Sequence, residues 1–144
     1  MNEYIWYKNG RVFKKTADPE GKYPTEAING NLSKMFKYFP NYKLHNESYH
    51  KNGERHRGND KPAFVGYQRD GTPYVEAYYQ NGYRHRGDDK PAYVVWHGGG
   101  SLCVEIYYKG GKRHRDNGKP AYIIYDKDGS IRDETYYRDG IPYH

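Results

Sequence analysis

The chain has 144 residues and a net charge of +6, a one-domain length that can bury a core. Mean hydropathy is as low as -1.27, yet aromatics make up 17% of the residues, which excludes an ordinary disordered chain. Cys103 is the single cysteine, so an intrachain disulfide and a cysteine metal cluster are excluded.

The opening MNEYIWYKNG has no apolar leader core, and no apolar run approaches membrane-spanning length. A cytoplasmic protein without a membrane partner is the expectation. Residues 1–46 carry eight Lys/Arg against four Asp/Glu, so most of the positive excess precedes the patterned part of the chain. Tyr, at 19, far outnumbers Phe, at 4. That suits a thin fold whose faces are coated by rings with apolar bodies and wet hydroxyls.

In chain order, YIWYKNGRVF near the start reads as a decayed copy of a motif that returns later. NLSKMFKYFP follows, with Asn31 as an N-cap, Leu32, Met35, Phe36 and Phe39 at helical spacing, and Pro40 as a stop. One short amphipathic helix is expected there, covering part of a sheet or an open edge.

From Glu47 onward the chain is periodic. Glu47, Glu76, Glu105 and Glu134 are 29 residues apart each time, which defines units 47–75, 76–104 and 105–133 and a truncated fourth. Each unit holds a β-branched and aromatic run after a proline, as in PAYVVW (91–96), then an Asp-Gly or Gly-Gly turn. A second strand follows, as in VEIYY (104–108), and then a turn at Asn52-Gly53, Asn81-Gly82, Gly110-Gly111 or Asp139-Gly140. These dipeptides tolerate positive φ in two-residue hairpin loops. The expectation is an up-and-down antiparallel meander of about eight strands, two per unit, with a looser loop before each proline.

Alternation places Ala92, Val94 and Trp96 on one face and Tyr93 on the other, with Glu76 and Tyr78 opposed to Val75, Ala77 and Tyr79. Aromatics on both faces mean that neither is simply solvent. One face is expected to curl into a core and the other to present tyrosines.

These elements, Tyr-Tyr-x-Asn-Gly, His-Arg and Pro-Ala, resemble the MORN-like repeat superfamily, in the variant found in bacterial, phage and large-virus proteins. They are more loosely similar to YwqK-family antitoxins. The resemblance covers residues 47–144 well and 4–13 poorly. It implies a mostly β fold, antiparallel β-hairpin repeats in an elongated curved sheet, serving as a scaffold or interaction module. The chain is then a single domain: residues 1–46 supply a degenerate repeat and the helical cover, residues 47–144 the repeats.

The trio Arg55-His56-Arg57 recurs as Arg84-His85-Arg86 and Arg113-His114-Arg115. Equivalent residues two strands apart stand about 10 Å from one another, too far for the histidines to share a metal ion. A catalytic group occurs once, whereas a structural one recurs with the fold. The arginines can pair with the glutamate ladder or with the loop acids Asp60, Asp88, Asp89 and Asp116, and the histidines can hold that loop through a ring N–H. The other use of the trio is a cation ladder for a phosphate-bearing ligand. Tyr49, Tyr78, Tyr107 and Tyr136 form one aromatic ladder, and Tyr79, Tyr108 and Tyr137 form another. Cys103 and His97, across Gly98-Gly99-Gly100, carry no nucleophile pattern, and that glycine run is no phosphate loop.

The sequence therefore points to a non-catalytic binding protein with no metal or cofactor and a protein partner. The candidate contact residues are Arg55, Arg57, Arg84, His85, Arg86, Arg113, Arg115, Tyr78, Tyr107 and Tyr136. An inhibitor or antitoxin-like role, carried by a phage or mobile element, is what the resemblance implies. The alternative is a nucleotide or nucleic acid bound by the arginine ladder. An open meander also leaves edge strands through which copies can associate.

Overall fold

The structure is a computed structural model that describes residues 3–8, 11–17, 32–38 and 44–144. The strands in chain order are β1 (Glu3–Lys8), β2 (Arg11–Ala17), β3 (Leu32–Tyr38) and β4 (Leu44–Lys51). Next come β5 (Glu54–Arg55), β6 (Phe64–Tyr67), β7 (Pro73–Ala77), β8 (Tyr79–Gln80), β9 (Tyr83–Arg84) and β10 (Tyr93–Trp96). The last are β11 (Leu102–Ile106), β12 (Tyr108–Lys109), β13 (Lys112–Arg113), β14 (Tyr122–Tyr125), β15 (Ile131–Arg138) and β16 (Ile141–Tyr143). One large open sheet has the order β16-β15-β14-β11-β10-β7-β6-β4-β3-β1-β2, with β5 beside β4. Two small ribbons, β8-β9 and β12-β13, stand apart from it.

The strand total exceeds the eight expected because β1–β3 lie before Glu47 and because the Asn-Gly turns make short ribbon strands that the Asp-Gly turns do not. At the Asn-Gly positions both central residues have positive φ, for example 48° at Asn81 and 83° at Gly82. Such a turn folds the chain straight back on itself and makes a two-residue ribbon, Tyr79↔Arg84 and Gln80↔Tyr83. At the Asp-Gly positions only the glycine is left-handed, as at Gly71 with φ 89°. The loop closes by Gln68 N–H to Thr72 O at 2.8 Å, a longer hairpin with a shift of register beside it, between Gly66 and Tyr67. The Gly98-Gly99-Gly100 run makes the same loop, His97 N–H to Ser101 O at 2.8 Å.

The loop before each proline has its own requirement. Asn59-Asp60, Asp88-Asp89 and Asn117-Gly118 are consecutive left-handed pairs, a conformation that among side-chain-bearing residues suits Asn and Asp best. Hence the sequences GND, GDD and DNG.

No helix forms at residues 32–38. They make β3, which pairs with β4 over Leu32↔Lys51 to Tyr38↔Leu44, while Asn31, Phe39 and Pro40 of the expected helix lie outside the described residues. The register explains this. Phe36↔Glu47 is followed 29 residues later by Val65↔Glu76, then by Val94↔Glu105 and Ile123↔Glu134. β3 therefore occupies the place that β6, β10 and β14 hold in the later units. The order then changes, because β1 pairs with β3 and β2 follows it outward.

The core is built from small residues and rings. Ala63, Ala92 and Ala121 are fully buried, and Val65, Val94, Ile106 and Ile123 lie beside them. Tyr49, Tyr78 and Tyr107 of one ladder and Tyr79 and Tyr108 of the other are also buried. Both aromatic sets are thus covered, where one open tyrosine face was expected.

Neighbouring ribbons touch closely. A Cβ on Gly111, at φ 82°, would stand 2.9 Å from Tyr83 Cδ1. Gly111→Ala is expected to cost about 1–2 kcal/mol from the left-handed backbone alone, and more from the clash. Thermal or urea unfolding checks this against Gly98→Ala, where an added Cβ meets nothing.

Candidate functional site

Each Arg-His-Arg trio leaves a ribbon and runs into the Asx-rich loop. Its three side chains go to three different places. The first arginine lies among rings: Arg84 Cζ is 4.8 Å from the Tyr93 centroid, 5.4 Å from Tyr108 and 5.9 Å from Tyr79. Its Nε donates to Tyr79 Oη at 3.2 Å and its Nη1 to Tyr108 Oη at 3.1 Å. Arg55 and Arg113 repeat the pattern with Tyr79 and Tyr137. Burial opposes ionisation of Tyr79, but the hydrogen bonds from Arg84 and Arg55 outweigh it and leave that hydroxyl below its ordinary value.

The histidine is a backbone acceptor. Asn81 N–H reaches His56 Nδ1 at 3.0 Å, Gly110 N–H reaches His85 Nδ1 at 3.1 Å, and Asp139 N–H reaches His114 Nδ1 at 3.1 Å. In each case the donor is in the next turn along the chain. The same turn donates a second bond to the arginine carbonyl before it: Gly82 to Arg55, Gly111 to Arg84 and Gly140 to Arg113, all at 2.9 Å. The expected ring N–H to the histidine's own loop appears only at His114, whose Nε2 is 2.8 Å from Asp116 Oδ1.

The second arginine is stacked and clamped. Arg57, Arg86 and Arg115 each lie 3.7 Å over the ring of Tyr49, Tyr78 and Tyr107. Their Nη1 atoms donate to the carbonyls of Pro62, Pro91 and Pro120 at 3.1–3.2 Å. Arg86 also grips Asp60 through Nε (2.7 Å) and Nη2 (3.3 Å), and Lys90 joins the same carboxylate at 2.9 Å. Arg115, Lys119 and Asp89 form the next copy. The partner acid thus comes from the preceding unit's loop, rather than from Asp88 and Asp89 beside Arg86. The two cations hold the carboxyl of Asp89 down to about 2, and Asp60 lower still.

The glutamate ladder takes tyrosine hydroxyls, not arginines. Glu47 accepts from Tyr67 at 2.8 Å and Tyr49 at 3.2 Å, Glu76 from Tyr78 at 3.0 Å, and Glu105 from Tyr125 at 2.7 Å. Burial first, and then Glu76, push the Tyr78 hydroxyl up to about 12. Trp96, at the place of Tyr67 and Tyr125, brings no hydroxyl to Glu76.

The candidate residues are therefore grouped as follows. Arg84, His85, Arg86 and Tyr78 meet around one ribbon, and Arg113, Arg115 and Tyr107 around the next. Tyr136 is half-buried, with its hydroxyl on Glu134 at 3.0 Å and its ring 6.0 Å from Tyr143. Cys103 is half-buried in β11, and His97 Nε2 meets Tyr125 O at 3.0 Å. Among the described residues no group of His, Cys, Asp and Glu is placed to hold a metal ion.

Two residues outside the sequence-derived set stand out, Tyr83 at 63% exposure and Ile141 at 69%. They share a row with Glu54 and Lys112, one from each ribbon. The clue lay in the aligned units: this position varies in chemistry from copy to copy, while the residues around it recur. A groove of about 550 Å³ runs beside Tyr83, lined also by Tyr78, His85, Arg86, Asp60 and Lys61.

Arg86→Lys is expected to cost about 1–2 kcal/mol, because an ammonium cannot stack flat on Tyr78 and fork onto Asp60 together. Urea unfolding measures it. At the first unit His50 takes the ladder place of Tyr79 and pairs in register with Arg55. Burial, with the Arg55 charge beside it, pushes its imidazole from 6.5 down to about 4. The folded state thus resists protonation, so this contribution is complete above about pH 6.5 and is lost as pH falls toward about 4. His50→Tyr is expected to flatten the decline of melting temperature across that window.

Among the described residues no helix is long and apolar enough to cross a membrane. Comparison with known proteins gives no match among family models, curated proteins or solved structures.

Proposed function

We propose that this chain is a non-catalytic β-repeat scaffold that binds a protein partner through the side of the sheet where its ribbons stack. The observation that carries this reading is the division of labour within the unit. The recurring Arg, His, Tyr and Asp residues spend their polar groups largely on one another and on backbone across unit boundaries. The varied residues Glu54, Tyr83, Lys112 and Ile141 stand outward in one row, and two of them are large and apolar. Aromatic side chains with polar surroundings are common anchors of protein interfaces.

The MORN-like motif likeness fits the same reading, with the 29-residue unit as the structural repeat of an extended sheet. An inhibitor or antitoxin-like role on a phage or mobile element is the form that the likeness suggests. Nothing in the trio favours catalysis, because each member recurs in an equivalent setting.

The test is affinity capture from host lysate, with nuclease treatment as a control. A nuclease-resistant protein partner is expected, lost on Tyr83→Ser/Ile141→Ser with the melting temperature held within about 2 °C, as befits exposed positions. Retention of nucleic acid that is abolished by moderate salt and indifferent to those substitutions would count against this reading.

A further inference from the structure

The second-arginine clamp is complete in two places and incomplete in one. Around Arg86 and Arg115 five groups meet: a tyrosine ring at 3.7 Å, a prolyl carbonyl at 3.1–3.2 Å, a lysine, and the two oxygens of an aspartate. Arg57 has the same ring distance to Tyr49 and the same carbonyl, Pro62 O at 3.1 Å. Its guanidinium is thus held by the same two contacts as the others. Lys61 holds the sequence place of Lys90 and Lys119 and is exposed.

What differs is the acid. Asp89 serves Arg115 and Asp60 serves Arg86. Among the described residues no carboxylate meets Arg57 or Lys61.

We propose that Arg57 and Lys61 form an open clamp for an acidic side chain, Asp or Glu, of the protein partner. The proposal rests on the protein-binding reading above and adds the chemistry of the partner. The occupant is specified by the filled copies. There the Nε–Nη2 edge of the guanidinium takes both oxygens of a planar carboxylate, and the lysine shares the outer oxygen. Stacking on Tyr49 orders the Arg57 fork before any ligand arrives, which lowers the entropic cost of binding. The basic excess of residues 1–46 attracts the same charge.

The probe is fluorescein-labelled hexaglutamate, titrated into the full chain at low ionic strength, with labelled hexaglutamine and a short single-stranded DNA as the other arms. Saturable hexaglutamate binding is expected, with none for hexaglutamine. Arg57→Gln and Lys61→Gln should each weaken it roughly fivefold, the scale of one ion pair. Since Arg57→Gln also removes the Tyr49 stack, Lys61→Gln is the control that leaves the stack in place, with the melting temperature held within about 2 °C as befits an exposed side chain. Absence of hexaglutamate binding overturns the proposal, as does binding indifferent to Arg57→Gln and Lys61→Gln. Tighter, Arg57-dependent binding of the DNA overturns it too, by reassigning the clamp to phosphate. Loss of the clamp with Tyr83-dependent capture intact sinks this inference alone. Loss of capture with the clamp intact sinks the stacked-ribbon interface instead.

Discussion

A guanidinium stacked on a tyrosine ring and gripped along its edge by a carboxylate of the preceding unit is the contact on which the rest of this structure turns. Among the described residues the fold is a large open sheet with no helical layer, so the rings on its faces need another cover. Arginine provides one that apolar side chains could not. Its plane matches the ring at 3.7 Å, and its edge reaches polar atoms at the rim. An exposed ion pair alone contributes little, about 0–1 kcal/mol. Stacking on a partly desolvated ring adds about 1–2 kcal/mol and fixes the fork. The stack is therefore the stronger half of the contact, and the aspartate sets its direction along the sheet.

The same logic accounts for the unusual composition. A polar chain with a mean hydropathy of -1.27 folds because its rings are buried under groups that hydropathy scales count as hydrophilic. The hydroxyls of the first ladder meet glutamates, and those of the second meet arginines. Each ladder thus has one kind of charge beneath its hydroxyls, and opposite effects follow: Tyr78 is pushed up and Tyr79 down. Buried polar groups are costly only when unpaired, and here the period itself supplies the pairs, one unit after another.

Much of this was legible in the sequence. The 29-residue spacing of the glutamates gave the period, and Asn-Gly and Asp-Gly marked the turns because a positive φ is a local property; the loop before each proline was expected, but not its left-handed Asx pairs. The helix expected around Met35 and Phe36 failed for a physical reason. Apolar residues at i, i+3, i+4 and i+7 suit a helix face, yet residues 32–38 are drawn into the sheet as a strand. Register then decides, and Phe36↔Glu47 repeats the later pairings although the Arg-His-Arg and Pro-Ala elements are gone. The acid partners of the arginines were legible only as a set. Asp60 and Asp89 were both among the expected loop acids, but which arginine each meets was not: Asp60 reaches Arg86 and Asp89 reaches Arg115, each 26 residues on, because the left-handed loop aims its second Asx toward the next unit. The row of Glu54, Tyr83, Lys112 and Ile141 was missed because attention went to what recurs.

The sheet edge at β15 bears on how a partner would approach. Val75 and Val104 stand at equivalent places in the inner units, and Asp133 stands there in β15. Its Oδ1 accepts the Glu134 N–H at 2.9 Å. Glu105, the equivalent of Glu134, pairs with Ile123 on the next strand, and among the described strands nothing stands beside Glu134 in that way. The Asp133 side chain thus occupies a donor that an added strand would need, and Arg132, Asp133 and Glu134 place charges on consecutive positions. Charged edges of this kind resist pairing with another chain. Strand addition at that edge is disfavoured, and on the proposed reading a partner is met by side chains of the stacked ribbons instead.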